Sequence, residues 1–198
     1  MFTIFSSEVL GAIGVLIGLA GYLVYFHGIF KGRIKPHAFS WLVWGILTLI
    51  GFIAQVVDGA GPGSWVTGFT AVMSFVLFFV GLGASSRALI VRSDWIFFIA
   101  TLLAIPPWYL TGDPMWSVII ITIIDAGAFI PTFRKAYEHP QTESVFHASS
   151  AGIKFVFGIF ALHHFSMTTV LYPASLVLMN GIFVFMLLWR RQTLKQTS

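Results

Sequence analysis

Seven apolar stretches, near residues 8–30, 38–57, 65–82, 95–110, 115–133, 145–162 and 169–189, follow one another with only short polar turns between them. No other feature constrains the fold as strongly. A helix needs roughly 20 predominantly apolar residues to cross a bilayer, and in lipid every backbone N–H and C=O must find its partner inside the protein. The sequence therefore predicts an all-α, polytopic membrane protein of seven transmembrane helices. With 58% hydrophobic and 9% charged residues in a chain of 198, little is left for a soluble domain.

The few charges are sorted by position. Placing the N-terminus outside puts Lys31, Arg33, Lys35, Arg87, Arg92, Arg134, Lys135, Arg190, Arg191 and Lys195 on the cytoplasmic side, ten of the eleven Lys and Arg. The eleventh, Lys154, lies inside a span. The outer loops then carry Glu8, Asp58, Asp113 and the His163-His164 pair. This is the positive-inside pattern, and it predicts an N-out, C-in multi-pass protein of a bacterial inner (plasma) membrane. It also accounts for the net charge of +4 without a nucleic-acid partner. Residues 1–7 carry no Lys or Arg and no small-residue cleavage site follows the first apolar run, so no cleaved signal is expected. The absence of cysteine excludes disulfides and thiolate metal sites.

Gly11, Gly14, Gly18 and Gly21 line one face of the first span, a stripe that lets a neighbouring backbone approach closely. Asp58-Gly-Ala-Gly-Pro-Gly63 reads as a turn. Sliding the chain against itself by 106 residues pairs span one with five, two with six and three with seven, leaving span four alone. The residue match is weak, while hydropathy and loop lengths agree better. An odd number of spans separates the halves, so both units enter the membrane in the same orientation, as parallel repeats about an axis along the membrane normal. The expected organisation is a first three-helix bundle over residues 1–90, a linker helix over 91–112 and a second bundle over 113–198.

Ile130-Pro-Thr-Phe-Arg-Lys-Ala-Tyr137 followed by Thr142-Glu-Ser144, within this three-plus-one-plus-three layout, resembles the SWEET sugar transporters and the wider PQ-loop family over essentially the whole chain. Thr132 stands where the family has glutamine, and the first half has Tyr25-Phe26 without a proline. The resemblance implies movement of a small polar solute by alternating access through a pocket between two bundles. It also implies an asparagine facing the solute at Asn180, with Ser74 as its counterpart one repeat earlier, and a hinge at Pro131.

Asp125, Lys154 and Asn180 lie near the middles of three successive spans. Asp125 is nine residues before Arg134 and Lys154 eleven after Glu143, which at about 1.5 Å per residue puts both well inside the hydrocarbon. Such groups cost on the order of 2.5–3.5 kcal/mol at mid-depth and mark functional sites by default. A direct Asp125–Lys154 ion pair on antiparallel helices is one expectation, with a purely structural register role as the bland explanation. Proton coupling at Asp125, or recognition of a charged or zwitterionic solute, is the other. Leu19 and Thr48 occupy the equivalent positions of the first half, so charge is confined to one half. That asymmetry favours an amino-acid-like or charged metabolite, or proton coupling, over plain sugar uniport.

Trp44 is a candidate wall of the pocket, Trp41 a weaker one, against the ordinary role of tryptophan as an interfacial anchor. His147 reads as an interfacial, hydrogen-bonded histidine. Pro131, Pro173 and Pro106-Pro107 are expected to break the helical ladder. His163-His164 offers two imidazoles without carboxylate or thiolate support, so no metal is expected. Nothing points to an enzyme, since no nucleophile–base set, zinc spacing or phosphate-cradling loop is present, and no cofactor is expected. The expected partners are a small-molecule solute and the lipid bilayer, with a homo-oligomer left open. Two alternatives remain: a seven-helix receptor that binds without net transport, and a retinal-type photoreceptor with Lys154 as the Schiff-base lysine.

Overall fold

In the computed structural model, which describes residues 5–34, 36–82 and 92–196, the apolar stretches are all helical. The helices are α1 (Ser7–Phe30), α2 (Ala38–Val57), α3 (Ser64–Leu82), α4 (Arg92–Leu102), α5 (Ile105–Thr111), α6 (Met115–Glu138), α7 (Val145–Phe160) and α8 (Met167–Gln196). There is no strand among the described residues. Lys35, Arg87 and the expected bundle boundary near residue 90 lie outside them.

Side-chain acceptors start several helices by taking backbone N–H groups that have no partner within the first turn. Ser6 Oγ accepts from Val9 N at 3.4 Å, His37 Nδ1 from Ser40 N at 3.3 Å, and Ser144 Oγ from His147 N at 3.2 Å. Five helical segments are long and apolar enough to cross a membrane: Ser7–Phe30, Ala38–Val57, Gly61–Leu82, Met115–Glu138 and Met167–Leu194. Trp95–Thr111 and Val145–Phe160 are shorter apolar helical segments. The exposed surface is apolar along these helices, with Leu16, Val72, Ile123, Leu178 and Phe185 facing outward, whereas Gln55, Thr67, Ser74, Asp125, Lys154 and Asn180 are buried. That inversion of a water-soluble protein is what lipid as solvent dictates.

The fourth apolar stretch is divided at Leu103-Ala104, ahead of Pro106-Pro107. Prolines lack the N–H that the first turn of a helix leaves unused, so the pair starts α5 where α4 stops. Ser117 Oγ of α6 donates to the Ala104 carbonyl at this break, at 2.5 Å. The other two prolines do not end their helices, contrary to the expectation of broken ladders. α6 runs unbroken through position 131, and α8 runs through Pro173. Pro173 cannot bond the Thr169 carbonyl one turn back, and Gln55 Nε2 of α2 donates to that carbonyl instead, at 2.8 Å.

Six helices close a ring. α1 packs on α3, α3 on α2, α2 on α6, α6 on α8, α8 on α7, and α7 back on α1. α4 stands outside this ring against α2 and α6, with α5 beside α6. The α1–α7 contact depends on the glycine stripe. A Cβ added at Gly14 would lie 2.9 Å from the Lys154 carbonyl oxygen, a separation that only glycine permits.

Candidate functional site

A cavity of about 120 Å3 lies inside the ring, walled by side chains from all six helices. The side chains selected from the sequence as solute contacts, Asn180, Ser74, Trp44, Lys154 and Asp125, all line it. The Pro131 side chain is not among those described.

Asp125 of α6 and Lys154 of α7 are each 3% exposed. They do not form the ion pair that the sequence suggested, and no other ion pair includes either residue among the described residues. The reason is topological. The helices α6 and α7 are consecutive in the chain, but α8 stands between them in the ring and each turns its charge into the cavity from a different side. The Lys154 ammonium lies over the Tyr22 ring at 4.9 Å and the Phe155 ring at 5.0 Å. Cation–π contact of this kind is worth about 2 kcal/mol when desolvated. Its stem passes beside Gly18, where a Cβ would come within 3.1 Å of Lys154 Cδ. Trp44 lines the same cavity as the Asp125 carboxylate. Neither arrangement neutralises a charge, and burying one unpaired costs several kcal/mol.

The hydroxyls of Thr48, Thr70 and Ser150 donate to carbonyls of their own helices, at 2.6 Å to Trp44, 2.7 Å to Val66 and 2.8 Å to His147. One Asn180 amide N–H does the same to Leu176, at 2.8 Å. Ser74 Oγ and His147 Nδ1 have no hydrogen-bond partner among the described residues although both are buried on the cavity wall. His147 lies on the cavity wall. Its ring lies 5.1 Å from that of Tyr25 and 6.3 Å from that of Tyr22. Trp41 also reaches the cavity and packs edge-on against Trp44 at 5.1 Å, so neither tryptophan is a simple interfacial anchor.

Tyr22, Thr70, Phe129 and Tyr172 line the cavity and were not singled out from the sequence. A signal existed for Tyr22, which follows Gly21 on the small-residue face of α1. Tyr172 carried none, because an aromatic next to a proline reads as ordinary packing.

The two ends of the ring differ. At the end holding the start of α1, polar bonds cross between the first three helices and the last two. Ser7 Oγ and His163 Nε2 are 2.7 Å apart, and Glu8 is 3.9 Å from the same nitrogen. His164 Nδ1 donates to the Asp58 carbonyl at 2.9 Å, Ser166 Oγ donates to the Asp58 carboxylate, and His163 N donates to the Ala60 carbonyl at 3.1 Å. The adjacent imidazoles therefore serve different partners. At the opposite end, Arg191 ties the tail of α8 to the Pro140 and Glu143 carbonyls at 2.9 and 2.6 Å, within the second half alone. Compared with known protein families, curated proteins and solved structures, the chain matches none of them.

Proposed function

We propose that the chain is a seven-span transporter of a small polar solute, with the cavity as its binding site. In this reading the spans form two parallel three-helix bundles, residues 1–90 and 113–198, joined by the linker 91–112, N-out and C-in in a bacterial inner membrane. The resemblance to SWEET and PQ-loop proteins belongs to the same proposal. One observation carries it: a carboxylate and an ammonium, each without a partner of opposite charge, share one buried cavity inside a ring of apolar-faced helices. A purely structural pair would be expected to neutralise itself, so charges held apart across a space are better explained by something that enters it.

The order of helix neighbours supports the repeat. α1 lies along α7 as α6 lies along α2, and α3 bridges α1 and α2 as α8 bridges α6 and α7. A two-fold axis along the membrane normal, exchanging α1 with α6, α2 with α7 and α3 with α8, would generate this order. In this reading the bonds at the α1 start close the cavity on that side, and solute reaches it from the other. Opening and closing of the two ends in alternation is the proposed cycle, and Asp125 is the proposed proton carrier. The photoreceptor alternative has less support, because Asp125 is not paired with Lys154 as a counter-ion would be.

The test is uptake into proteoliposomes of sugars, amino acids and nucleosides, with and without a pH gradient. Gradient-driven accumulation that Asp125→Asn abolishes in folded protein is the expected result. Uptake at the wild-type level in that variant removes the proton-carrier role. Binding without any flux favours a receptor.

A further inference from the structure

The two charges are not merely unpaired; they enter the cavity from α6 and α7, which are not neighbours in the ring. Lys154 lies over the Tyr22 ring at 4.9 Å, and the His147 ring is 6.3 Å from that of Tyr22, so the three share one side of the cavity. Asp125 enters from α6, which packs on α2 and α8, the helices that carry Trp44 and Tyr172 on the cavity wall. One side is a donor surface that an anion satisfies, and the other holds a carboxylate that only a cation satisfies. A neutral sugar leaves both charges uncompensated, and a simple cation or anion leaves one.

We infer that the solute is an α-amino acid, held across the cavity with its ammonium at Asp125 and its carboxylate at Lys154. This rests on the transport reading above and names its substrate class. The cavity agrees in size. At about 120 Å3 it is close to the engineered cavity of about 150 Å3 that holds one benzene, the scale of one small solute rather than of an oligosaccharide. Phe129 and Phe155 supply apolar wall for the side chain, and Ser74 Oγ is a further free hydrogen-bonding group.

The test compares each amino acid of a panel (alanine, leucine, glutamine, phenylalanine) with its decarboxylated amine and its deaminated acid, with glucose as the neutral comparator. Binding to purified protein is read by calorimetry and flux in proteoliposomes. At least one amino acid is expected to bind roughly 100-fold more tightly than both of its truncated forms, the loss anticipated when a buried charge is left without its partner. Lys154→Met should reduce the preference over the amine to less than about threefold, and Asp125→Asn the preference over the acid, following the same pairing logic. The wild-type comparison stands alone if either variant fails to fold. An amine or acid that binds as well as its parent overturns the inference. So does glucose binding and crossing the bilayer while no amino acid does, a result that leaves the transport reading intact. If nothing in the panel binds or crosses, both readings fall.

Discussion

Asp58 and His164 stand 106 residues apart in the chain, the offset of the proposed repeat, and touch: His164 Nδ1 is 2.9 Å from the Asp58 carbonyl oxygen. Two equivalent positions of a two-fold repeat meet only where both lie close to the axis. The neighbouring bonds follow the same logic, since Ser166, the equivalent of Ala60, bonds Asp58, while Ala60 accepts from His163 beside His164. On the proposed repeat, this contact near the axis is also one that joins residues 58–60 to residues 163–166 at the α1 start.

That closure can be locked. A Cβ built at Gly59 lies 4.0 Å from His164 Cβ, within the 3.5–4.5 Å range of disulfides, and the chain has no cysteine of its own to interfere. Gly59 has φ +74°, so a cysteine there carries a strain of roughly 1–2 kcal/mol, tolerable in a single turn residue. Oxidised Gly59→Cys/His164→Cys protein should lose at least 90%, on the order of tenfold, of its flux and regain it with reductant. Solute binding measured from the opposite end should persist. Undiminished flux in the crosslinked protein would mean that this end does not open during transport.

The Gln55–Thr169 bond makes a second prediction. Gln55→Leu leaves the Thr169 carbonyl without a donor, a loss of about 1–3 kcal/mol. Part of this is offset because Gln55 Oε1 is itself buried without a partner. Pro173→Ala supplies a backbone N–H one turn on, able to serve the same carbonyl. In a double-mutant cycle read by chemical unfolding in detergent, Gln55→Leu should therefore cost about 1 kcal/mol less in the Pro173→Ala background. Additive effects would show that the glutamine does not stand in for the missing ladder bond.

Helix positions were legible in the sequence because their signal, a run of apolar residues between turns, is local and repeated, and five of the helices are long enough to cross a membrane. The candidate site was legible for the same reason: Asp125, Lys154 and Asn180 are out of place in lipid whatever surrounds them. Their mutual geometry was not, because it depends on α8 standing between α6 and α7, and ring order is a long-range property. The ion pair was inferred from chain adjacency, and chain adjacency failed. Trp41, a weaker candidate for the wall than Trp44, and His147 were hard to place for a related cause, since a residue one turn inside a helix faces lipid headgroups or a cavity depending on rotation about the helix axis. The role of Pro173 escaped because its replacement donor, Gln55, lies 118 residues away.

Gly14 carries the last prediction, which separates packing from the mere presence of a helix. Gly14→Ala puts a Cβ 2.7 Å from Val66 Cγ2 and 2.9 Å from the Lys154 carbonyl oxygen, so α1 must move away from α7. Overpacking of this kind costs about 1–3 kcal/mol. Gly181→Ala on α8 meets nothing within 4 Å and has no positive φ, so the substitution should be neutral or stabilise by roughly 0.5–1 kcal/mol through helix propensity. Thermal unfolding of the two variants in one detergent should separate them by several degrees in opposite directions from the wild type. Because the displaced carbonyl belongs to Lys154 itself, Gly14→Ala should also weaken solute binding, whereas Gly181→Ala should leave it unchanged. Equal melting temperatures for the two would mean that α1 and α7 do not approach this closely.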